Sequence, residues 1–417
     1  MATVMVRPTR KILPITLLAA ALVGCTLGSA TATQTLAPQP AAPSPTLPAS
    51  AIPATPTATP TTSPLPPSPT PTPLSTPEGV VTRGPYVQSP TSSSIVIVWE
   101  TDRPLPGEVI YGRGGTYDQR ALSSSTGLRH EVTMAGLEPG TEYGYWVASS
   151  GYPLAEAGSF RTAPSADDPS FTFVAYGDSQ SLHATHQLIA DRILALKPDF
   201  ALHAGDLVAH GSLSSEWDRF FDIEGAMLAS VPLFPSPGNH DQNDPRYFEA
   251  FVLPGNERWY AFDWGNARIV SLQIDAIVPF GKQSEQVQWL ESTLAANTQP
   301  WLIVWFHVPP FDALPEDSMG DAVRINVVPL LERYGVDLVL NGHNHNYQRS
   351  IVNGITYVVT GGAGGELVYI EGPDPDTEAF YNGHHFVYFT VEGETLTGRA
   401  IATDGTTVDT FTLVSGG

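Results

Sequence analysis

The chain has 417 residues, enough for two or three domains with sizeable cores. Its 42 acidic and 20 basic side chains leave a net charge of −22. Such a surface repels nucleic-acid backbones, so nucleic-acid binding is not expected, and any phosphate site needs a local source of positive charge.

Arg7, Arg10 and Lys11 precede an apolar run from Ile12 to Val23, a pattern of secretory-signal length that is short for a bilayer span. Leu22-Val23-Gly24-Cys25 resembles the bacterial lipobox, in which the cysteine is acylated and becomes the new N-terminus. Cys25 is therefore the expected lipid attachment residue. A plain secretion signal with an incidental cysteine is the alternative. As the chain's only cysteine, it excludes an intrachain disulfide. The expected location is extracytoplasmic, anchored to a cell membrane or secreted.

Four segments are expected: a lipoprotein signal at 1–25, a linker at 26–78, an all-β domain at 79–164 and an α/β domain at 165–417. From about Ser29 to Pro77 the chain is almost entirely Ala, Pro, Thr and Ser without charge, a composition that cannot offset ordering entropy. In the third segment Ile95–Trp99, Glu108–Tyr111, His130–Met134 and Tyr143–Val147 read as short strands. Leu137-Glu-Pro-Gly-Thr-Glu-Tyr143 resembles the tyrosine corner of a fibronectin type III-like sandwich. A packing and spacing role suits this module better than adhesion, and His130 reads as structural.

From Phe171 strands and helices alternate. Phe171–Tyr176, Phe200–Ala204, Trp301–Phe306, Asp337–Leu340 and Ile355–Thr360 read as strands. Leu182–Leu196, Glu216–Ala229, Ser284–Ala296 and Val323–Tyr334 read as helices, with Ser284 as a cap and Gly320-Asp321 as another. Trp259–Asp275 reads as a hairpin turning at Gly265-Asn266, and Phe386–Leu413 as two or three closing strands. The fold class is a layered α/β domain, with β-sandwich sheets flanked by helices, behind a small all-β sandwich.

Five blocks end these strands: Gly177-Asp178-Ser179-Gln180, Gly205-Asp206, Gly238-Asn239-His240-Asp241, His307, and Gly342-His343-Asn344-His345. Carboxylate, amide and imidazole together suit hard or borderline metal ions. Each block alone is weak; five in order after apolar strands are specific.

Their order resembles the calcineurin-like metallophosphoesterases, and most closely the purple acid phosphatase branch. The resemblance implies two divalent or trivalent metal ions (iron, manganese or zinc) and hydrolysis of small phosphomonoesters by a metal-activated hydroxide, with no protein partner. It implies that Asp206 bridges the metals, that Asn239, His307 and His343 complete one site, and that Asp178 and His345 belong to the other. It also implies a catalytic role for His240 facing the substrate, with Asp241 expected to orient it. A phosphodiesterase or nucleotidase on the same site, and a binding protein on a degenerate phosphoesterase domain, are the rival readings.

Two departures matter. Ala209 stands where purple acid phosphatases carry a tyrosine, so no purple colour is expected. Gln180 stands where many other relatives carry a histidine. The Asp178 site is therefore thin, with weaker metal binding expected, and its oxygen-rich shell suits Mn²⁺, Fe²⁺ or Mg²⁺ better than tetrahedral Zn²⁺. His203 reads as core or support for the site, and His186 as helical. The roles of His183, His210, His384 and His385 stay open, and Gly361–Gly365 reads as a flexible turn near the site rather than a phosphate cradle.

Overall fold

The computed structural model describes residues 79–155, 158–312, 318–368 and 376–416. The signal segment with Cys25 and the Pro/Thr-rich linker lie outside them.

The first domain is all β: β1 (Val81–Gln88), β2 (Ser94–Gly112), β3 (Gln119–Ala135), β4 (Glu142–Ser149), β5 (Tyr152–Pro153) and β6 (Gly158–Arg161). The two short runs read at Ile95–Trp99 and Glu108–Tyr111 are one long strand, β2. Its register against β3 slips between Glu100 and Glu108, around Pro104 and Pro106, which cannot donate to a ladder. Ile95, Ile97, Trp99, Val109, Tyr143 and Phe160 fill its core. Tyr143 closes a tyrosine corner, its hydroxyl accepting from the Glu138 N–H at 3.0 Å. His130 stacks on Trp99 at 4.7 Å, which makes it structural. The module is bound to its neighbour rather than tethered. Tyr86 donates to the Ala250 carbonyl at 2.6 Å, Tyr145 to the Ala229 carbonyl at 2.8 Å, and Arg83 pairs with Asp218 at 2.8 Å.

The second domain runs β7 (Ser170–Tyr176), α1 (His183–Leu196), β8 (Phe200–His203), α2 (Ser214–Leu228), β9 (Leu233–Pro235), α3 (Pro245–Ala250), β10 (Tyr260–Trp264), β11 (Ala267–Ser271), α4 (Glu285–Ala295), β12 (Trp301–Trp305), α5 (Ser318–Asn326), α6 (Val328–Arg333), β13 (Leu338–Asn341), β14 (Tyr347–Val352), β15 (Ile355–Thr360), β16 (Thr377–Tyr381), β17 (His385–Glu392), β18 (Thr395–Ala402) and β19 (Thr407–Val414). One sheet has the order β19-β18-β17-β7-β8-β9 and the other β10-β11-β12-β13-β15-β14-β16. The strand β12 shows why they stack. Trp301, Ile303 and Trp305 enter the core between the sheets, and Leu302 and Val304 face the cluster that Val287, Leu290 and Leu331 cover from α4 and α6. At the centre, Phe173 stacks between Phe200 at 5.2 Å and Phe389 at 4.5 Å.

Ser284 caps α4 by accepting from the Val287 N–H at 3.3 Å. The helix read at Val323–Tyr334 is two helices, α5 and α6, broken at Val327 because Pro329 suits only the first turn of a new helix. Gly320-Asp321 lies inside α5 rather than capping it, and Asp321 pairs with Arg324 one turn on. The parallel strands β7-β8-β9 and β11-β12-β13 bring their C-terminal ends to one rim. There the chain leaves each sheet in loops that carry the five blocks.

Candidate metal centre

Asp178 follows β7 and Asp206 follows β8, both with left-handed backbone at φ 56°. This conformation is uncommon for aspartate and turns both carboxylates inward at the strand ends. Asp178 and Asp206 are both buried, and one ligand atom from each, with one from His307, lies within 4.8 Å of the others.

Four donor atoms converge around His307. Its Nε2 lies 3.0 Å from Asn239 Oδ1, 3.2 Å from His343 Nδ1 and 3.2 Å from Asp206 Oδ2. Its Nδ1 donates to the Ala204 carbonyl at 2.8 Å, which commits the other nitrogen to face the cluster. Donors held about 2.1 Å from a shared cation are about 3.0–3.4 Å apart, so these spacings fit a metal ion.

The other half is sparser. His345 Nε2 lies 3.4 Å from Asp178 Oδ1, while its Nδ1 donates to the Glu366 carbonyl at 2.5 Å. The buried Oδ1 of Asp178 has no hydrogen-bond partner, nor does the buried Oε1 of Gln180. Asp178 Oδ2 accepts from the His343 N–H at 2.9 Å. An orphaned carboxylate oxygen in the interior calls for a cation. His343 is also left-handed, at φ 69°. The segment is thus a turn rather than a plain strand, and it sends His343 toward His307 and His345 toward Asp178.

The electrostatics agree with the donor set. Burial works against a charged His307, yet Asp206 and Asp178 raise its pKa to about 10. Burial likewise opposes a charged His345, and Asp178 raises it to about 9. Burial opposes the Asp206 carboxylate, but His307 and the His240 N–H hold its pKa below the usual range. The cradle holds buried negative charge that a multivalent cation would neutralise.

His240 sits at the mouth, half-buried. Its backbone N–H donates to Asp206 Oδ1 at 2.7 Å, and its Nδ1 donates to the Ala209 carbonyl at 2.9 Å. The expectation that Asp241 orients His240 is not met. The Asp241 carboxylate accepts from the N–H groups of Asp206, Leu207, Val208 and Gly238 at 2.8–3.4 Å. It binds the two ligand loops together, because a buried acceptor turns toward orphaned N–H donors before it turns to a ring that a carbonyl already satisfies. Burial and the nearby Asp206 charge push its carboxyl up to about 8.

The glycines around the site admit close approach. A Cβ on Gly342 would lie 2.5 Å from Asp178 Oδ2, and one on Gly361 would lie 2.7 Å from the same atom. A Cβ on Gly365 would meet the His345 ring at 2.5 Å, so the Gly361–Gly365 run is the packed back wall of this half. His183, read as a loop residue, is exposed at the start of α1, and His210 is exposed in the loop after β8. His384 donates from Nδ1 to the Gly362 carbonyl at 3.1 Å, and His385 is buried beneath it.

Sequence reasoning missed Ser179. Its hydroxyl donates to the Leu207 carbonyl at 2.9 Å and meets His203 Nε2 at 3.0 Å, linking the Asp178 and Asp206 loops. Beneath it, the buried Glu224 accepts from Tyr176 at 3.0 Å and meets His186 at 2.7 Å. The polar residues at helical spacing in α1 and α2 were the only signal.

Residues 171–347 match the calcineurin-like phosphoesterase family, and residues 84–162 match the purple acid phosphatase N-terminal domain. Purple acid phosphatase 15 of Arabidopsis thaliana is 27% identical over 342 residues, covering 68% of this chain and 64% of that protein. Acid phosphatase type 7 of Homo sapiens is 28% identical over 297 residues, covering 61% of this chain and 67% of that protein. This chain therefore spans under two thirds of the length of the Arabidopsis relative. Among solved structures, purple acid phosphatase PPD1 from yellow lupin seeds shares the fold at a TM-score of 0.71 with 20% identity, covering 80% of this chain and 74% of that one. The structure of PhoD does so at 0.64 with 16% identity, covering 80% and 90%.

Proposed function

We propose that this chain, a calcineurin-like metallophosphoesterase with a purple acid phosphatase N-terminal domain, is an extracytoplasmic, lipid-anchored phosphatase that hydrolyses small phosphomonoesters. The observation that carries the reading is the convergence of Asn239, His307, His343 and Asp206 donors at 3.0–3.2 Å, beside a buried Asp178 oxygen that accepts no hydrogen bond and meets only His345 Nε2, at 3.4 Å.

In this reading Asp206 serves both halves of the cradle, Asn239, His307 and His343 hold one metal, and Asp178 and His345 hold the other. Two cations, when bound there, would acidify a water and offset phosphoryl charge. The chain's own residues do the rest. Carbonyls of Ala204 and Glu366 fix the tautomers of His307 and His345, so that each presents its Nε2. The Ala209 carbonyl takes the Nδ1 proton of His240, and its Nε2, with no hydrogen-bond partner among the described residues, can donate to a phosphoryl oxygen or the leaving group as imidazolium. Asp241 holds the loops that aim Asp206 and Asn239.

The test is turnover of para-nitrophenyl phosphate by protein stripped with chelator and reloaded with Mn²⁺, Fe²⁺, Zn²⁺ or Mg²⁺. Restored turnover with two bound ions supports the reading. Full occupancy without turnover on mono- or diesters favours a binding protein, the outcome for which the thin Asp178 half gives a reason. The anchor rests on the Leu22–Cys25 motif. Among the described residues no helix is long and apolar enough to cross a membrane. Cys25→Ala is expected to move the protein from the membrane fraction to the soluble one; unchanged fractionation would refute lipid attachment.

A further inference from the structure

We propose that Arg258 holds a second anionic group of the substrate, outside the metal cradle, and so selects diphosphates and phosphate esters whose leaving group is itself charged. The inference rests on the phosphatase reading above and names its substrate class.

Arg258 is anchored to both flanks of the site. Its Nη1 donates to Asn243 Oδ1 and, at 3.4 Å, to Gln273 Oε1. Asn243 lies three residues beyond His240, on a turn where Gln242 and Asn243 are both left-handed. Gln273 lies two residues beyond β11. The parallel ladder pairs Ser271 with Trp305, and the Leu272 N–H continues it to the Trp305 carbonyl at 3.1 Å. The same offset brings Gln273 level with His307. The guanidinium is therefore held on the rim between the His240 loop and the edge beside His307. Its flat face rests 4.4 Å from the centroid of Phe248, which fixes its plane.

Its partners are neutral amides, so its charge is not cancelled. Arg246, Arg268 and Arg349 are each tied to a carboxylate. Among the described residues Arg258 has no carboxylate within ion-pair distance. Acids close in sequence to Arg258 and its anchors are engaged elsewhere, Asp244 with Arg246 at 2.9 Å. Asp275 accepts from the N–H groups of Ile277 and Val278 and from Gln273 Nε2 at 2.6–2.8 Å, and Glu257 accepts from the Leu253 N–H at 3.3 Å. On a chain of net charge −22, an uncompensated, plane-locked guanidinium beside a phosphate site is a built anion receptor. Hydrolysis of pyrophosphate there consumes one water, breaks one P–O bond and yields two orthophosphates, the second of them the group that Arg258 holds.

The experiment compares kcat/KM for inorganic pyrophosphate and para-nitrophenyl phosphate in the metal-loaded full chain and in Arg258→Gln and Arg258→Lys, with thermal melts to verify folding. In Arg258→Gln the pyrophosphate-to-monoester ratio is expected to fall about tenfold to a hundredfold, and Arg258→Lys is expected to restore part of it. An unchanged ratio, or equal losses on both substrates, overturns the proposal. If the wild type turns over neither substrate, the phosphatase reading fails. Arg258 is then judged by calorimetric affinity for pyrophosphate over orthophosphate. A preference lost in Arg258→Gln supports the receptor, and no preference in the wild type refutes it.

Discussion

Around His307, donors from three other loops lie within 3.2 Å of one nitrogen. Around His345, the nearest carboxylate oxygen is 3.4 Å away and otherwise unpartnered. Both halves lie beside Asp206, which the proposed function has them share, and have the same strand-to-loop construction, so the difference lies in residue choice. The crowded half has an amide and two imidazoles besides the shared carboxylate. The sparse half has Asp178 and His345, with Ala209 unable to donate a phenolate and Gln180 able to donate only a weak carbonyl oxygen. A centre can thus keep its geometry while one side offers fewer donors, because the backbone that aims the side chains is set by buried hydrogen bonds rather than by the side chains themselves.

The strongest way to break the comparison is to remove the shared member. Asp206→Ala is expected to empty both halves and lower kcat by about 10⁴-fold, the scale of losing a group on which the whole site depends. Metal analysis and para-nitrophenyl phosphate kinetics check it. His240→Ala belongs to neither half. It is expected to lower kcat by about 10²–10⁴-fold while both metals stay bound, as removal of a proton donor does. Near-full turnover would remove His240 from the mechanism.

Asp241→Asn tests whether the two loops are held by one carboxylate. With one of the two oxygens that accept from these four N–H groups replaced by an amide donor, folding stability is expected to fall by about 1–3 kcal/mol and metal affinity by about 10–100-fold in both halves. Denaturant melts and metal titration read the two effects. Loss confined to one half would contradict the assignment.

The smallest effect concerns the wall behind the sparse half. Burial pushes the His385 pKa down to about 4, against about 6.5 in an unfolded chain. Between those values the unfolded state binds a proton that the folded state excludes. His385 therefore makes stability fall as pH drops from about 6.5 to 4, and has no effect above that window. His385→Gln is expected to flatten this part of a Tm-against-pH curve, and an unchanged slope would place the titration elsewhere.

Much of this was legible in the sequence because the signals were short-range. An apolar strand ending in Gly-Asp, Gly-Asn-His or Gly-His-Asn-His announces both its element and the donor side chains gathered at its end, and Ser284 and Gly265-Asn266 announce a cap and a hairpin. The strand β14 was not legible. Its polar Gln348 and Ser350 are buried and bonded to each other at 3.0 Å, so the segment shows no apolar run to mark it as an inner strand. The bonds of Asp241 were equally hidden, since three of the four depend on where the distant Asp206 loop places its N–H groups. Arg258 was hidden for the same reason, because its anchors, Asn243 and Gln273, come from different loops.

The most direct test of the account is a calorimetric titration of the chelated protein with Mn²⁺, run beside Ala209→Tyr. The account predicts two binding events of unequal affinity in the wild type. It predicts that the added phenol tightens only the weaker one, with a visible charge-transfer band when Fe³⁺ replaces Mn²⁺. Two equally tight sites in the wild type, or a single site in both proteins, would contradict it.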